Sequence, residues 1–161
     1  MEEQKLFFIP FSYLTENVIK IGEFMVKTLV HDPLFLAQKS EPATPTDAQV
    51  ITDLLDTLRA HLDGCVGMAA NMIGVKKNII VVSMGFMQMA MVNAKITSRK
   101  KPYQTEEGCL SFMGGPVKTT RYDEIEVEYQ DASFKPKKDT FTGFTAQIIQ
   151  HELDHVNGVL I

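Results

Sequence analysis

Tryptophan is absent from this chain and cysteine nearly so, with only Cys65 and Cys109 among 161 residues. Two thiols are too few for a disulfide framework, and they fit a reducing compartment where a lone thiol ligates or attacks. A basic excess is missing as well. Sixteen Lys and Arg stand against twenty Asp and Glu, a formal net charge of −4, so there is no basic face to neutralise phosphates and no nucleic-acid partner is expected. No stretch reaches the roughly 18 unbroken apolar residues of a membrane span, so no membrane partner is expected either. Glu2 and Glu3 stand where a secretory signal would be positive, and no small-residue cleavage site follows. The expected location is the cytoplasm. Internal repeats and low-complexity tracts are also lacking. The rest is an ordinary globular composition, 45% hydrophobic and 22% charged, at a length suited to one domain.

The first 24 residues show no sustained period and run into Ile21-Gly22-Glu23-Phe24-Met25. Gly-Glu codons can spell a purine-rich ribosome-binding sequence, here a few nucleotides ahead of a methionine codon. Residues 1–24 are therefore read as a leader and 25–161 as the domain, with Met25 the natural start. The competing reading is an ordinary helix from about Glu16 to Val30. Prolines 33, 42 and 45 then mark an extended, looping segment from Asp32 to Pro45. Thr44 can cap a helix with Pro45 in its first position and Asp47 at the positive end of its dipole. Val50, Ile51, Leu54, Leu55, Leu58 and Leu62 recur at helical spacing, and Gly64 can end the element.

Strands are expected at Asn78–Ser83 and, after a turn at Met84-Gly85-Phe86, at Met87–Asn93. Further strands are expected at Val117–Arg121, Ile125–Tyr129 and Phe134–Lys138. The methionines between Met84 and Met91 read as core filler. A last helix follows, with Thr142 as its cap and Gly158 at its end. Helix, strands and helix make a single-domain α+β fold, its mixed or antiparallel strands gathered around the C-terminal helix.

That helix carries the strongest chemical signal, Gln150-His151-Glu152-Leu153-Asp154-His155. Two histidines four apart differ by about 40° around a helix, so both rings can reach one metal ion. Glu152 sits at the edge of the same face, where a carboxylate can move a proton without ligating. Two histidines leave a three-ligand site one short. Cys109, in Glu106-Glu107-Gly108-Cys109-Leu110-Ser111, is the candidate third ligand, because a thiolate suits a borderline metal. A buried cysteine acting as a small hydrophobe is the alternative, and spacing alone does not pair it with His151. A third stretch, Cys65-Val66-Gly67-Met68-Ala69-Ala70-Asn71-Met72-Ile73-Gly74, has small residues in a row. These permit close backbone approach to a ligand or to a neighbouring helix. A tight helix-to-strand connection would use the same residues.

Together these three segments resemble the peptide deformylases, whose pattern is Gly-x-Gly-(apolar)-Ala-Ala-x-Gln, then Glu-Gly-Cys-Leu-Ser, then a Gln-His-Glu-x-Asp-His helix. The likeness runs from about Val30 to the end of the chain. It implies that Cys109, His151 and His155 hold one divalent ion, usually Fe(II) and replaceable by nickel, cobalt or zinc. Glu152 would be the general acid/base, and Glu107 would pair with Arg121 to buttress the cysteine loop. The implied reaction removes the formyl group from the N-terminal formylmethionine of new polypeptides and releases formate. The Leu110 backbone N–H would hold the oxyanion, and Val66, Gly67 and Ile148 would line the methionine pocket and peptide-binding edge.

The first motif departs from the pattern. Cys65 replaces its first glycine and Met72 its glutamine, whose carboxamide helps hold the oxyanion. A thioether donates no hydrogen bond. Asn71 next to it is the candidate substitute. Cys65 is expected to pack, with redox sensitivity as the alternative. The chain also stops three residues after Gly158, short of the extension by which some members dock on ribosomes, so ribosome docking is not expected. Two other readings share the motifs: a metal-binding pseudoenzyme that retains N-terminal peptides, and a metallohydrolase acting on another N-acyl peptide.

Overall fold

The computed structural model describes residues 18–21, 24–111 and 114–161. Most of the expected leader lies outside the described residues. What is described of it is strand: β1 (Val18–Ile21) pairs antiparallel with β2 (Phe24–Lys27). The described residues of the Glu16–Val30 stretch therefore form no helix, in keeping with the β-branched Val18, Ile19, Ile21 and Val26. β2 is fastened to the first long helix by side chains. Met25 N–H donates to Asp56 Oδ2 at 3.1 Å and Lys27 N–H to Thr57 Oγ1 at 3.0 Å.

Asp32 caps a short helix α1 (Pro33–Leu36) by accepting the Leu34 N–H at 2.9 Å, where only an extended segment was expected. Asp-Pro is a natural N-cap and first-position pair, so the proline starts a turn rather than excluding one. The expected cap at Thr44 opens a single 3-10 turn, Pro45–Asp47, which leads into α2 (Ala48–Arg59). α2 stops short of Gly64. Beyond Ala60 the chain turns, with His61 N–H on the Leu58 carbonyl and Gly64 N–H on the His61 carbonyl. Leu62 is consequently exposed and outside the buried stripe that includes Ile51, Leu54 and Leu58.

The main sheet is antiparallel in the order β3 (Gly67–Ala69), β4 (Ile79–Ser83), β5 (Gln88–Glu107), β6 (Val117–Gln130), β7 (Pro136–Thr142). Met87–Asn93 covers only the start of β5, and the two strands expected between Val117 and Tyr129 are one. Register shifts between Val92 and Lys95 and between Ile96 and Ser98 interrupt the alternation of β5, which hid its length from the sequence. β7 starts two residues later than expected, because Phe134 (φ 61°) belongs to the turn closed by Asp131. Of the methionines from Met84 to Met91 only Met91 is fully buried, and Met87 is exposed. They are core filler only in part.

Helix α3 (Gly143–Val156) starts at Thr142 and lies against the sheet with Ala146, Ile148, Ile149, Leu153 and Val156 buried. Gln150 fixes its height. The Gln150 carboxamide accepts the Tyr122 N–H and donates to the Tyr122 carbonyl, at 3.0 and 2.8 Å, on a stretch of β6 that β7 has not yet reached. Past the helix, Gly158 (φ +76°) lies so close to the Ala37 carbonyl that a Cβ would collide with it. Among the described residues no helix is long and apolar enough to cross a membrane.

Candidate metal centre

Helix periodicity delivers His151 and His155 to one place. Their Nε2 atoms lie 3.0 Å apart, and the rings meet edge to face at 81°. Cys109, just beyond the end of β5, completes a cluster in which the ligand atoms all lie within 4.8 Å of one another. The cysteine loop is braced from the far side of the chain. His31 Nδ1 lies 3.2 Å from the Ser111 carbonyl, and Ser111 N–H points to Cys109 Sγ at 3.4 Å.

Glu107 is the hub behind this cluster. Its Oε2 accepts from His151 Nδ1 at 2.8 Å and from Arg121 Nη2 at 2.6 Å, and its Oε1 from Arg121 Nε and Gln147 Nε2, both at 2.9 Å. Arg121 reaches Asp154 with its remaining arm. Burial pushes the Glu107 carboxyl up, but the hydrogen bonds from His151 and Arg121 outweigh it and hold the group at about 2. The carboxylate keeps His151 Nδ1 occupied and turns Nε2 toward the cluster.

Burial would also raise the Cys109 thiol, yet the hydrogen-bonding imidazoles of His151 and His155 bring it down to about 5. Thiolate is thus the favoured form, as a ligand requires. Glu152 behaves oppositely. It is 4% exposed, and burial lifts its carboxyl to about 7 against the pull of His155 and His151. Its Oε2 is buried and without a partner among the described residues. A carboxyl poised near neutrality beside a thiolate and two imidazoles can exchange protons with something placed between them.

A cavity of about 240 Å³ opens in front of these groups. Val66, Gly67, Leu110, Ile148 and Met72 all line it, as do Cys65, Phe144 and Gln147. Gly67 allows the contact between β3 and α3, since a Cβ there would stand 2.6 Å from Ile148 Cγ2 and 2.7 Å from Glu152 Oε1. The Leu110 backbone N–H has no hydrogen-bond partner among the described residues. Asn71 does not line the cavity: its Nδ2 donates to the His155 backbone carbonyl at 2.9 Å, on the core side of α3. The expected stand-in for the missing glutamine is therefore not brought to the site. Cys65 is pinned by a 2.9 Å bond to the Gly67 carbonyl, and burial, with the Glu152 carboxylate, pushes its thiol up to about 11.

The sequence offers Asp154 only as a member of the helix motif, with no role, and marks neither Gln147 nor His31. Gln147 and Asp154 lie four before and three after His151, on its helical face, so periodicity could have found them. Nothing local marks His31, whose partner is 80 positions away.

The family model for polypeptide deformylase matches residues 26–161. A peptide deformylase of Clostridium beijerinckii is 58% identical over 137 residues, spanning 85% of this chain and the whole of that protein. The crystal structure of the Thermotoga maritima peptide deformylase superposes with a TM-score of 0.75 at 31% identity, over 84% of this chain and 93% of that one. A Synechococcus elongatus peptide deformylase in complex with actinonin gives 0.75 at 30%, over 88% and 79%. Since the matched segment contains the cysteine loop, the small-residue stretch and the whole of α3, the chain belongs to the polypeptide deformylase family.

Proposed function

We propose that this chain removes the formyl group from the N-terminal formylmethionine of new polypeptides, with Cys109, His151 and His155 holding one divalent ion. The observation that carries this reading is the pairing of a Cys/His/His cluster with a buried, unpartnered carboxylate, Glu152, in one cavity. The donors suit a metal: a thiolate and two imidazoles favour a borderline divalent ion, and Glu107 orients one ring as ligating histidines require. Fe(II) is the proposed native ion, with nickel, cobalt and zinc as substitutes. When bound, the ion supplies Lewis acidity and makes a water acidic near neutral pH.

The protein's own groups do the rest. Val66, Gly67 and Ile148 line the space for the methionine side chain, and β3 is an edge strand against which an extended peptide can lie. The Leu110 N–H is available to the oxygen that gains charge as the formyl carbon becomes tetrahedral. Glu152 takes a proton at its carboxylate and returns it to the departing amine. A pure binding protein has no use for such a base. The test is formate release from a formyl-Met-Ala-Ser peptide by anaerobically prepared, Fe(II)- or nickel-loaded protein. Turnover that vanishes in Glu152→Ala supports the reading, and metal-loaded protein that binds the peptide without turnover sinks it.

The same reading places the enzyme in the cytoplasm, takes residues 25–161 as the domain, and takes 1–24 as a leader. The division at residue 25 is supported by the family match, which begins at residue 26, whereas the pairing of β1 with β2 ties residues 18–21 to the domain. The mass of protein made from the native gene decides, since a chain beginning at Met1 excludes the leader.

A further inference from the structure

Asn71 is 1% exposed, and its amide bonds the carbonyl of a residue 84 positions away. That residue, His155, lies in the last turn of α3, where backbone carbonyls run out of helical partners. Its carbonyl receives the Gly158 N–H at 3.0 Å and the Asn71 Nδ2 at 2.9 Å. The turn that carries Asn71 is itself held firmly. Val30 N–H donates to the Met72 carbonyl at 2.8 Å, and Gly74, at φ +85°, closes the turn by donating to the Asn71 carbonyl at 3.1 Å.

α3 therefore rests on the segment from Gly67 to Gly74 at two points. Gly67 receives Ile148 and Glu152 in van der Waals contact, and Asn71 receives the carbonyl of His155. Positions 148, 152 and 155 fall on one helical face, so the two contacts together fix where that face sits.

The two histidines differ in how they are held. His151 is oriented at its ring by Glu107. His155 Nδ1 is buried with no partner among the described residues, so no hydrogen bond behind its ring does for it what Glu107 does for His151, and the backbone beneath it bears more on where the ring sits. Asn71 also buries an Oδ1 that has no partner. An apolar side chain would fill that space without the cost of a half-satisfied carboxamide, which argues for a role in the Nδ2 bond rather than in packing.

We propose that Asn71 is a positioning residue for His155, its bond to the His155 carbonyl setting the last turn of α3 and hence the ligand geometry of the metal centre. This rests on the metal-centre reading above.

Cobalt(II) affinity, measured on the full chain by competition with a chromophoric chelator, tests it. Asn71→Ala, and Asn71→Leu, which is close in size but has no donor, are expected to weaken cobalt by about 10–100-fold and to alter the ligand-field absorption of the bound ion. Leu58→Ala, a core change in α2 chosen to lower the melting temperature of the metal-free protein at least as much, is expected to leave affinity unchanged. Wild-type affinity in both Asn71 variants overturns the proposal, as does an equal loss in Leu58→Ala. Should Asn71→Ala not fold, Asn71→Leu decides alone. Cys109→Ala separates the two readings: undiminished cobalt binding there removes the metal centre and this role with it. If Cys109→Ala loses cobalt while the Asn71 variants keep it, only the role of Asn71 falls.

Discussion

Gly67 and Glu152 sit so close that a single methyl group on the glycine would stand 2.7 Å from the carboxylate. The same methyl would lie 2.6 Å from Ile148 Cγ2, so the helix could not simply slide aside along its face. Gly67→Ala must therefore displace the Glu152 side chain or lift α3 from β3. A misplacement of about 1 Å at a reacting group can cost roughly 10²-fold in rate. Formate release should fall by about that factor while metal content stays near one ion per chain. Steady-state rates beside elemental analysis of the same sample check this, and an unimpaired kcat would show that the glycine does not set the base.

The Glu107 carboxylate accepts four hydrogen bonds from three side chains. A glutamine in its place has one acceptor oxygen and would turn an NH2 toward donors. Glu107→Gln should release the His151 ring and weaken metal binding by about 10–100-fold. Asp154 still faces Arg121 in this variant, which limits the stability loss to about 1–3 kcal/mol for the donors left unsatisfied. Urea unfolding of the metal-free protein and chelator competition on the loaded protein read the two effects separately.

How much of this was legible in the sequence depends on distance along the chain. His151, Glu152 and His155 could be placed because helix periodicity relates them within one turn, and α3 forms where its cap and its glycine say it should. Thiolate chemistry makes Cys109 the candidate third ligand, but nothing in the intervening residues encodes its joining to that helix, and the pairing is what the resemblance implies. Its place beside Met72 makes Asn71 the candidate substitute for the oxyanion-holding glutamine, whereas a 2.9 Å bond takes its amide to the far end of α3. The length of β5 is hidden for a different reason. Its register shifts and the positive φ of Asn93 and Lys101 break the two-residue alternation on which strand recognition depends.

Removing the metal should loosen the joint between the cysteine loop and α3. An ion that binds only the folded chain adds about 2.7 kcal/mol of stability when free ion is 100 times its dissociation constant. The melting temperature should rise on adding cobalt or nickel to chelator-stripped protein, and formate release should return with it. In Cys109→Ala the rise should disappear, because the cluster then keeps only the two imidazoles. A melting temperature indifferent to metal in the wild type would count against the centre.

Met72 is 2% exposed, lines the cavity and accepts the Ala69 N–H on its sulfur at 3.4 Å. It stands where the deformylase pattern has glutamine, and it offers the developing oxyanion no donor. With Asn71 committed to His155, the Leu110 N–H is the protein donor left for that charge in the proposed mechanism. Glutamine is also unbranched and of similar length, so Met72→Gln should fit without disturbing the turn, its carbonyl replacing the sulfur as acceptor for Ala69. One added oxyanion donor is worth at most about 10²–10³ in rate. The expectation is a rise in kcat of at least about tenfold with KM little changed, since the interaction gains strength only as charge develops. Initial rates of formate release across peptide concentrations separate the two parameters. An unchanged kcat would mean that Leu110 and the metal already carry the charge, and that this chain has settled on a deformylase site without the carboxamide.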